Sequence, residues 1–525
     1  MHNLLTSTAI LAVLAVAEGA PTASSSSLSA SAPTGATYPD GFDMRYSWGN
    51  LSPFRSPSGF PLPKGVPRGC ELSQTHVLHR HAQRYPTTER LDGEGMELFS
   101  QKVAKHSSDG KKEIGSGPLE FLNHWEYLLG EQILLETGAA TEDTSGADFW
   151  TTHGRLLYRA GANVSKWDES LNVFPNGTAR RKPVFRTTSM SRILESARWW
   201  LSGFFGDRAA TPSYSQYDLV IIPEVDGLVN NDTLATSSCP GDNEEGDKAQ
   251  EAFMVKFTKD ARSRLSKYLP SDFDLTPRDV LSMMNLCPYE YWTLGASSFC
   301  NLFTEQEWLD FEFQRGLQFY GNHGFGSPTG RAQGIGYVME LAARLEGKYI
   351  HSSDTSVNYT YDDNTAQFPL NQPFYMDMSH DDLIWGVLAA LGLDYFKYGP
   401  NGLPTTYPPP HQRFKMHEVV PYGARLFSEI WTCPTNTDFD KLDPVLYTNP
   451  DLSSRRDTKD YIRLVLNYAP IPLDGNPGCK NAHNGFCEVK DFLKGVPKLN
   501  EEAMYQFACF GNYTTDGQVA NGNPE

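Results

Sequence analysis

Several signatures are missing from this chain, and each absence closes a route. After the N-terminal segment no apolar run approaches the roughly 18 residues that a membrane span needs, so no span is expected. Neither Gly-x-Ser-x-Gly nor Gly-x4-Gly-Lys-Ser/Thr occurs, which removes the serine-hydrolase elbow and the P-loop. No paired Cys-x-x-Cys pattern points to zinc, and no internal repeat stands out. Positive charge is scarce: 45 Lys and Arg face 63 Asp and Glu, a formal charge of −18 over 525 residues. Such a field repels nucleic acid and anionic membrane surfaces. It also repels a phosphate ester at long range, so a phosphate site here must be a local basic pocket. Below pH ~5 carboxylates begin to protonate and that penalty shrinks, which favours work in acid.

What is present begins with an export signal. Ala9 to Ala17 is a short apolar run, and Ala15-Val16-Ala17 offers a small-x-small cleavage site. Residues 1–17 therefore read as a signal peptide, although no Lys or Arg precedes the run. Residues 18–40, rich in Ser, Ala and Pro, read as a spacer. Six Asn-x-Ser/Thr sequons, at Asn50, Asn163, Asn176, Asn231, Asn358 and Asn512, suit a secreted, extracellular glycoprotein. Eight cysteines suit a disulfide framework, and ~105 pairings are open on number alone.

Helical periodicity is expected from Leu91 onward. Leu122, Trp125, Leu129 and Ile133 predict a helix over 118–136, and a second covers 147–158. Strands are expected over 183–187, over the apolar run 219–222, which suits burial, and over 461–468. Thr276-Pro277 and Thr304-Glu-Gln-Glu307 mark helix starts, and 330–345 is a further helix.

Two stretches carry chemistry. Cys70 to His79 reads as a strand running into Arg80-His81-Ala82-Gln83-Arg84-Tyr85-Pro86. Two arginines can hold a phosphate by paired, charge-assisted hydrogen bonds, and the histidine between them can attack phosphorus. A metal site of His76, His79 and His81 is the weaker reading, because strand alternation points His76 away and the arginines repel a cation. The second stretch, Phe374 to Gly392, reads as a strand, a cap at Ser379 with Asp382 closing a capping box, and a helix. His380 and Asp381 then fall in its first turn, where unpaired N–H groups attract anions.

Arg80-His81-x-x-Arg84-x-Pro86 followed far downstream by His380-Asp381 resembles the signature pair of the histidine acid phosphatases, closest to the secreted fungal phytase-like branch. The likeness extends through Phe185-Arg186-Thr-Thr-Ser and Gly330 to Gly336, over about residues 65–515. It implies an α/β fold of the phosphoglycerate-mutase kind. A mainly parallel sheet (roughly 65–100, 181–240 and 326–525) would carry a smaller helical cap (roughly 101–180 and 241–325), together making one catalytic unit over 41–525. His81 would be the nucleophile, Asp381 the general acid, and Arg80, Arg84, Arg186 and His380 the phosphate ligands. No metal or other cofactor is implied. The implied disulfides are Cys70–Cys433, Cys239–Cys509, Cys287–Cys300 and Cys479–Cys487. One position departs from the family: Ala82 stands where glycine is usual, and a Cβ there restricts backbone angle and approach.

The expected activity is hydrolysis of small phosphate monoesters. Phytase action on inositol hexakisphosphate is the close alternative, with Lys102, Lys105, Lys111 and Lys112 as pocket-mouth candidates. Gln318 and Phe319, with Arg315 the sole nearby base, speak for the broader substrate class. A phosphate-binding protein impaired at Ala82, or a metal-dependent hydrolase, are the rival classes. Oligomeric state is open.

Overall fold

A computed structural model describes residues 41–108, 112–207, 211–225, 227–241 and 244–524. The expected signal peptide over 1–17, the expected 18–40 spacer and Lys111 lie outside the described residues. Eight strands form one sheet: β1 (Glu71–Arg80), β2 (Val184–Thr188), β3 (Asp218–Ile222), β4 (Phe374–Ser379), β5 (Arg425–Pro434), β6 (Thr458–Leu466), β7 (Ala469–Pro470) and β8 (Cys487–Glu488). Their order is β8-β6-β5-β1-β4-β2-β3, with β7 paired to β6. β1, β4, β2 and β3 run parallel, whereas β5, β6 and β8 are antiparallel. The class is α/β, with a mixed sheet.

The main helices are α1 (Gly93–Ser107), α2 (Glu136–Phe149), α3 (Ser191–Phe205), α4 (Glu245–Phe257), α5 (Pro277–Leu294), α6 (Glu305–Asn322), α7 (Gly330–Glu346), α8 (Asp381–Ala390) and α9 (Val489–Ala503). α2 and α3 cover one face, where Phe149, Trp200 and Phe204 join Val77, Phe374 and Phe427 in one apolar cluster. α7, α8 and α9 contribute Ile335, Leu388 and Leu499 to a second cluster, which contains Leu78, Leu426 and Leu464 of the sheet. That cluster continues through Phe99, Phe253, Met284 and Trp308 into α1, α4, α5 and α6. β4 is buried on both faces, as a central parallel strand covered by helices must be. α5 and α6 start at the expected caps, Thr276 and Thr304; Glu307 closes the expected capping box at Thr304, and Asp279 closes a further one at Thr276.

Three local expectations fail for tertiary reasons. The 118–136 stretch is only a short 3-10 helix, Gly117–Asn123, followed by extended chain. Backbone pairing displaces the helix there: Tyr85 N–H donates to Ile133 O at 3.0 Å and Leu135 N–H to Gln83 O at 2.9 Å. The 219–222 run is an edge strand with Ile221 41% exposed, not a buried one. Ser379 stays in β4 and gives its hydroxyl to Leu234 O, so His380 becomes the N-cap of α8 and no capping box forms.

The eight cysteines pair as Cys70–Cys433, Cys239–Cys509, Cys287–Cys300 and Cys479–Cys487. Such a framework fits an oxidising compartment.

Under the sheet lies a buried ionic network. Arg186 donates to Asp377 Oδ1 at 2.7 Å and Glu340 Oε2 at 2.6 Å, and faces Asp362 at 3.4 Å. Arg344 takes the other oxygen of Asp377 at 2.7 Å. Burial, then the Glu340 charge, pushes the Asp362 carboxyl up to about 9. Burial pushes nearby Asp232 up to about 7. Both therefore hold protons in the native state that the unfolded chain releases above pH ~4. Their contribution to stability is complete below that pH and disappears as pH rises through 7 and then 9. The melting temperature, followed by calorimetry between pH 5 and 9, is expected to fall as pH rises; a rise across that range contradicts the assignment.

Candidate active site

The site forms where β1 and β4 end side by side. Arg80 pairs with Ser379 in the parallel register, and His81 N–H donates to Ser379 O at 3.0 Å. The next residues on each strand, His81 and His380, thus meet with ring centroids 6.0 Å apart. Carboxyl ends of parallel strands are where open α/β sheets bind ligands. The far side of the loop is held by Gly423, whose N–H donates to His81 O at 3.2 Å. Gly423 has φ +69, and a Cβ there would stand 3.2 Å from Thr141, so glycine suits this turn.

His81 is held in one tautomer. Its Nδ1 lies 2.8 Å from the Ala82 carbonyl, which accepts only, so Nδ1 carries the proton and Nε2 keeps its lone pair. Burial, then Arg80, Arg192, Arg84 and His380, drives the imidazole well below the usual histidine range. It therefore stays neutral in acid. Ala82 does not adopt a positive φ. Its methyl thus needs none of glycine's freedom, and its carbonyl still orients His81.

Asp381 opens α8 and meets two partners. Arg80 Nη2 lies 2.9 Å from its Oδ2, and Asn50 Nδ2 donates to the same oxygen at 3.0 Å. Burial would raise this carboxyl, but Arg80, Asn50, Arg84 and His380 hold it down at about 2. Arg80 is itself anchored by the carbonyls of Asn50 and Val420, at 2.5 and 2.6 Å. His380 Nε2 lies 3.0 Å from the Glu224 carboxylate. Burial would raise Glu224 as well, and His380 chiefly keeps it at about 2. Arg84 Nη1 donates to Tyr289 OH at 3.2 Å, and that hydroxyl donates to Asp92 at 2.8 Å.

Arg80, His81, Arg84, His380 and Asp381 are therefore together, but Arg186 is not with them. The carboxylates of Asp377 and Glu340 and the protonated Asp362 engage its guanidinium, and it is not among the charges that bear most on His81. Arg192, six residues later in the first turn of α3, takes that place. Its Nη1 donates to Gln132 Oε1 at 2.9 Å, and Gln132 has φ +58, a costly backbone state for a residue with a Cβ. A signal was available: a positive charge at a helix N-terminus opposes the helix dipole and needs a reason. Asn50, Glu224 and Tyr289 were also missed. The Asn50 sequon is a correction of another kind: the residue is 6% exposed and its amide is bonded to Asp381, so the folded site has no room for a glycan there. Asn163, Asn176, Asn231 and Asn512 are exposed and Asn358 is half-buried. Among the lysines, Lys102 is bound by Asp279 and the Asp274 carbonyl, both at 2.7 Å.

A strand-end histidine between arginines, facing a carboxyl at a helix start, defines an anion site equipped for group transfer. Residues 71–467 match the model of the histidine phosphatase superfamily (branch 2), and the chain belongs to that family of phosphoric monoester hydrolases. It is 29% identical over 470 residues to Phytase A of Emericella nidulans, covering 86% of this chain and 88% of that protein. Over 472 residues it is 29% identical to Phytase A of Aspergillus awamori, with the same coverage of 86% and 88%. The fold is shared with the crystal structure of the phytase from D. castellii at TM-score 0.66 and 19% identity, covering 91% of this chain and 89% of that one. It is also shared with the Bifidobacterium longum multiple inositol polyphosphate phosphatase at TM-score 0.52 and 12% identity, covering 85% and 96%.

The two arginines can be separated by experiment. Arg192→Ala is expected to lower kcat/KM by about 10²–10³-fold with little change in melting, since it removes charge from a developing transition state. Arg186→Met is expected to strand buried carboxylates at a cost of about 3–5 kcal/mol of stability, read as a large drop in melting temperature. The reverse pattern in kinetics and calorimetry contradicts the exchange of roles.

Proposed function

We propose that this protein is a secreted acid phosphatase that works through a phosphohistidine on His81. The observation that carries the reading is the His81 imidazole, tautomerically fixed and kept neutral among arginines. Arg80, Arg84 and Arg192, with His380, hold the phosphate oxygens and offset the charge of the transferring phosphoryl group. His81 Nε2 attacks phosphorus and the bond to the ester oxygen breaks. Asp381 gives its proton to the departing alkoxide, a poor leaving group without one. In the second step the Asp381 carboxylate takes a proton from water, the water oxygen bonds to phosphorus, and His81 leaves unchanged. The positive charge comes from side chains, so the chemistry calls for no metal.

Asp381 is anionic in the free site, which bears on how it becomes an acid. A bound phosphate engages Arg80, and the ion pair that held Asp381 down is weakened. A monoanionic ester, the main form below pH ~6, also brings the required proton with it. The pH dependence should follow. kcat/KM is expected to persist well below pH 6, where an ordinary histidine would be protonated, and to fall above ~6. An acid limb near pH 6.5 in the rate profile would contradict the neutral state of His81.

The substrate reading is a phosphomonoesterase of broad class, because Lys102 is neutralised by Asp279 at 2.7 Å and Gln318 is tied to Asp247 at 3.1 Å. Inositol phosphates are the second reading, favoured by the names of the relatives. Comparing phytate with an aryl phosphate at pH 3–6 separates the two.

Two variants test the mechanism. His81→Ala is expected to abolish turnover. Asp381→Asn is expected to slow alkyl phosphates far more than p-nitrophenyl phosphate, whose leaving group needs little protonation. Normal turnover by His81→Ala, or equal loss on both esters for Asp381→Asn, would overturn the assignment.

A further inference from the structure

Two buried phenols flank Arg84, and they are in different states. The Tyr289 hydroxyl accepts from Arg84 and donates to Asp92. The Tyr422 hydroxyl is equally buried, yet it has no hydrogen-bond partner among the described residues. Buried hydroxyls are rarely left so, because the lost hydration is not replaced.

Tyr422 is not loosely placed. Its N–H donates to Ser52 O at 3.1 Å, and the next residue holds the His81 carbonyl. Its ring is fully buried and carries the Arg80 guanidinium 4.7 Å from its centroid. The His81 ring lies 6.3 Å away. Burial pushes the phenol up, Arg84 and Arg80 pull it down, and Asp92 and Asp381 oppose them. The oxygen therefore sits among the groups assigned to phosphate and leaving group, and it remains a protonated donor in acid.

We propose that the Tyr422 hydroxyl is a phosphate-binding donor of this site, giving its hydrogen to an oxygen of the phosphoryl group that Arg80 and Arg84 hold. This rests on the reading of those arginines as the phosphate clamp. An anionic oxygen is a strong acceptor, and it supplies the partner the free protein lacks. Tyr289 is bonded differently: its hydroxyl accepts from Arg84 and is itself held by Asp92.

Tyr422→Phe removes one oxygen and leaves the ring over Arg80. The probe is inorganic phosphate, measured as a competitive inhibitor of p-nitrophenyl phosphate hydrolysis at pH 5, with melting temperature alongside. The phosphate inhibition constant is expected to rise about tenfold, the loss of one charge-assisted bond, with melting unchanged or higher. An unchanged inhibition constant overturns the proposal. A variant that melts well below the wild type also overturns it, because the hydroxyl is then structural. Failure of the wild type to bind phosphate or to hydrolyse ester would overturn the clamp itself; an active wild type with an unaffected variant removes only the part given to Tyr422.

Discussion

The site depends on one constraint, the parallel pairing of β1 with β4. Their register puts Arg80 beside Ser379, so the residues just past each strand end meet although they are far apart in sequence. Everything else is arranged on that contact. His81 N–H is bonded across to β4, α8 begins at once and presents Asp381, and Arg80 reaches it at 2.9 Å. A slip of one residue would turn both strand ends to opposite faces and separate His81 from Asp381. The helices on either side of the sheet bury both strands and leave little freedom for such a slip.

Charge is handled by compartment. The chain is strongly acidic overall, with a formal charge of −18, yet the pocket concentrates Arg80, Arg84 and Arg192 around one imidazole. Burial first, and that concentration next, keep His81 neutral where histidines in water would be protonated, so the proposed nucleophile and an acidic medium can coexist. A second set of charges, Arg186 and Arg344 with Asp377 and Glu340, is sealed inside beside the protonated Asp362 and balances itself. The first set is left ready for an anion. The second ties the sheet to α7 and retains protons in acid.

Much of this was legible in the sequence, and the failures have physical causes. The strand-loop and strand-helix motifs located five of the site residues, because they combine local pattern with unusual side chains. Arg186 misled because its place at a strand end resembles a ligand position, while the carboxylates that consume it come from distant segments. Arg192 belongs to neither motif and lies six residues past Arg186, in the first turn of α3. Asn50 read as a glycan acceptor since a sequon carries no information about burial. Ala82 looked like a defect, but its backbone angle is one that any residue adopts. The 118–136 helix failed because pairing of Ile133 and Leu135 with the loop that carries His81 outweighs local periodicity.

The central claim is that phosphate passes through His81. The most direct measurement is a rapid acid-free quench of the enzyme during turnover of a ³²P-labelled aryl phosphate, followed by peptide mapping under alkaline conditions that preserve phosphohistidine. The account predicts a label on the peptide containing His81, formed at the rate of turnover and chased by water. Turnover with no labelled protein, or with the label on another residue, would contradict it.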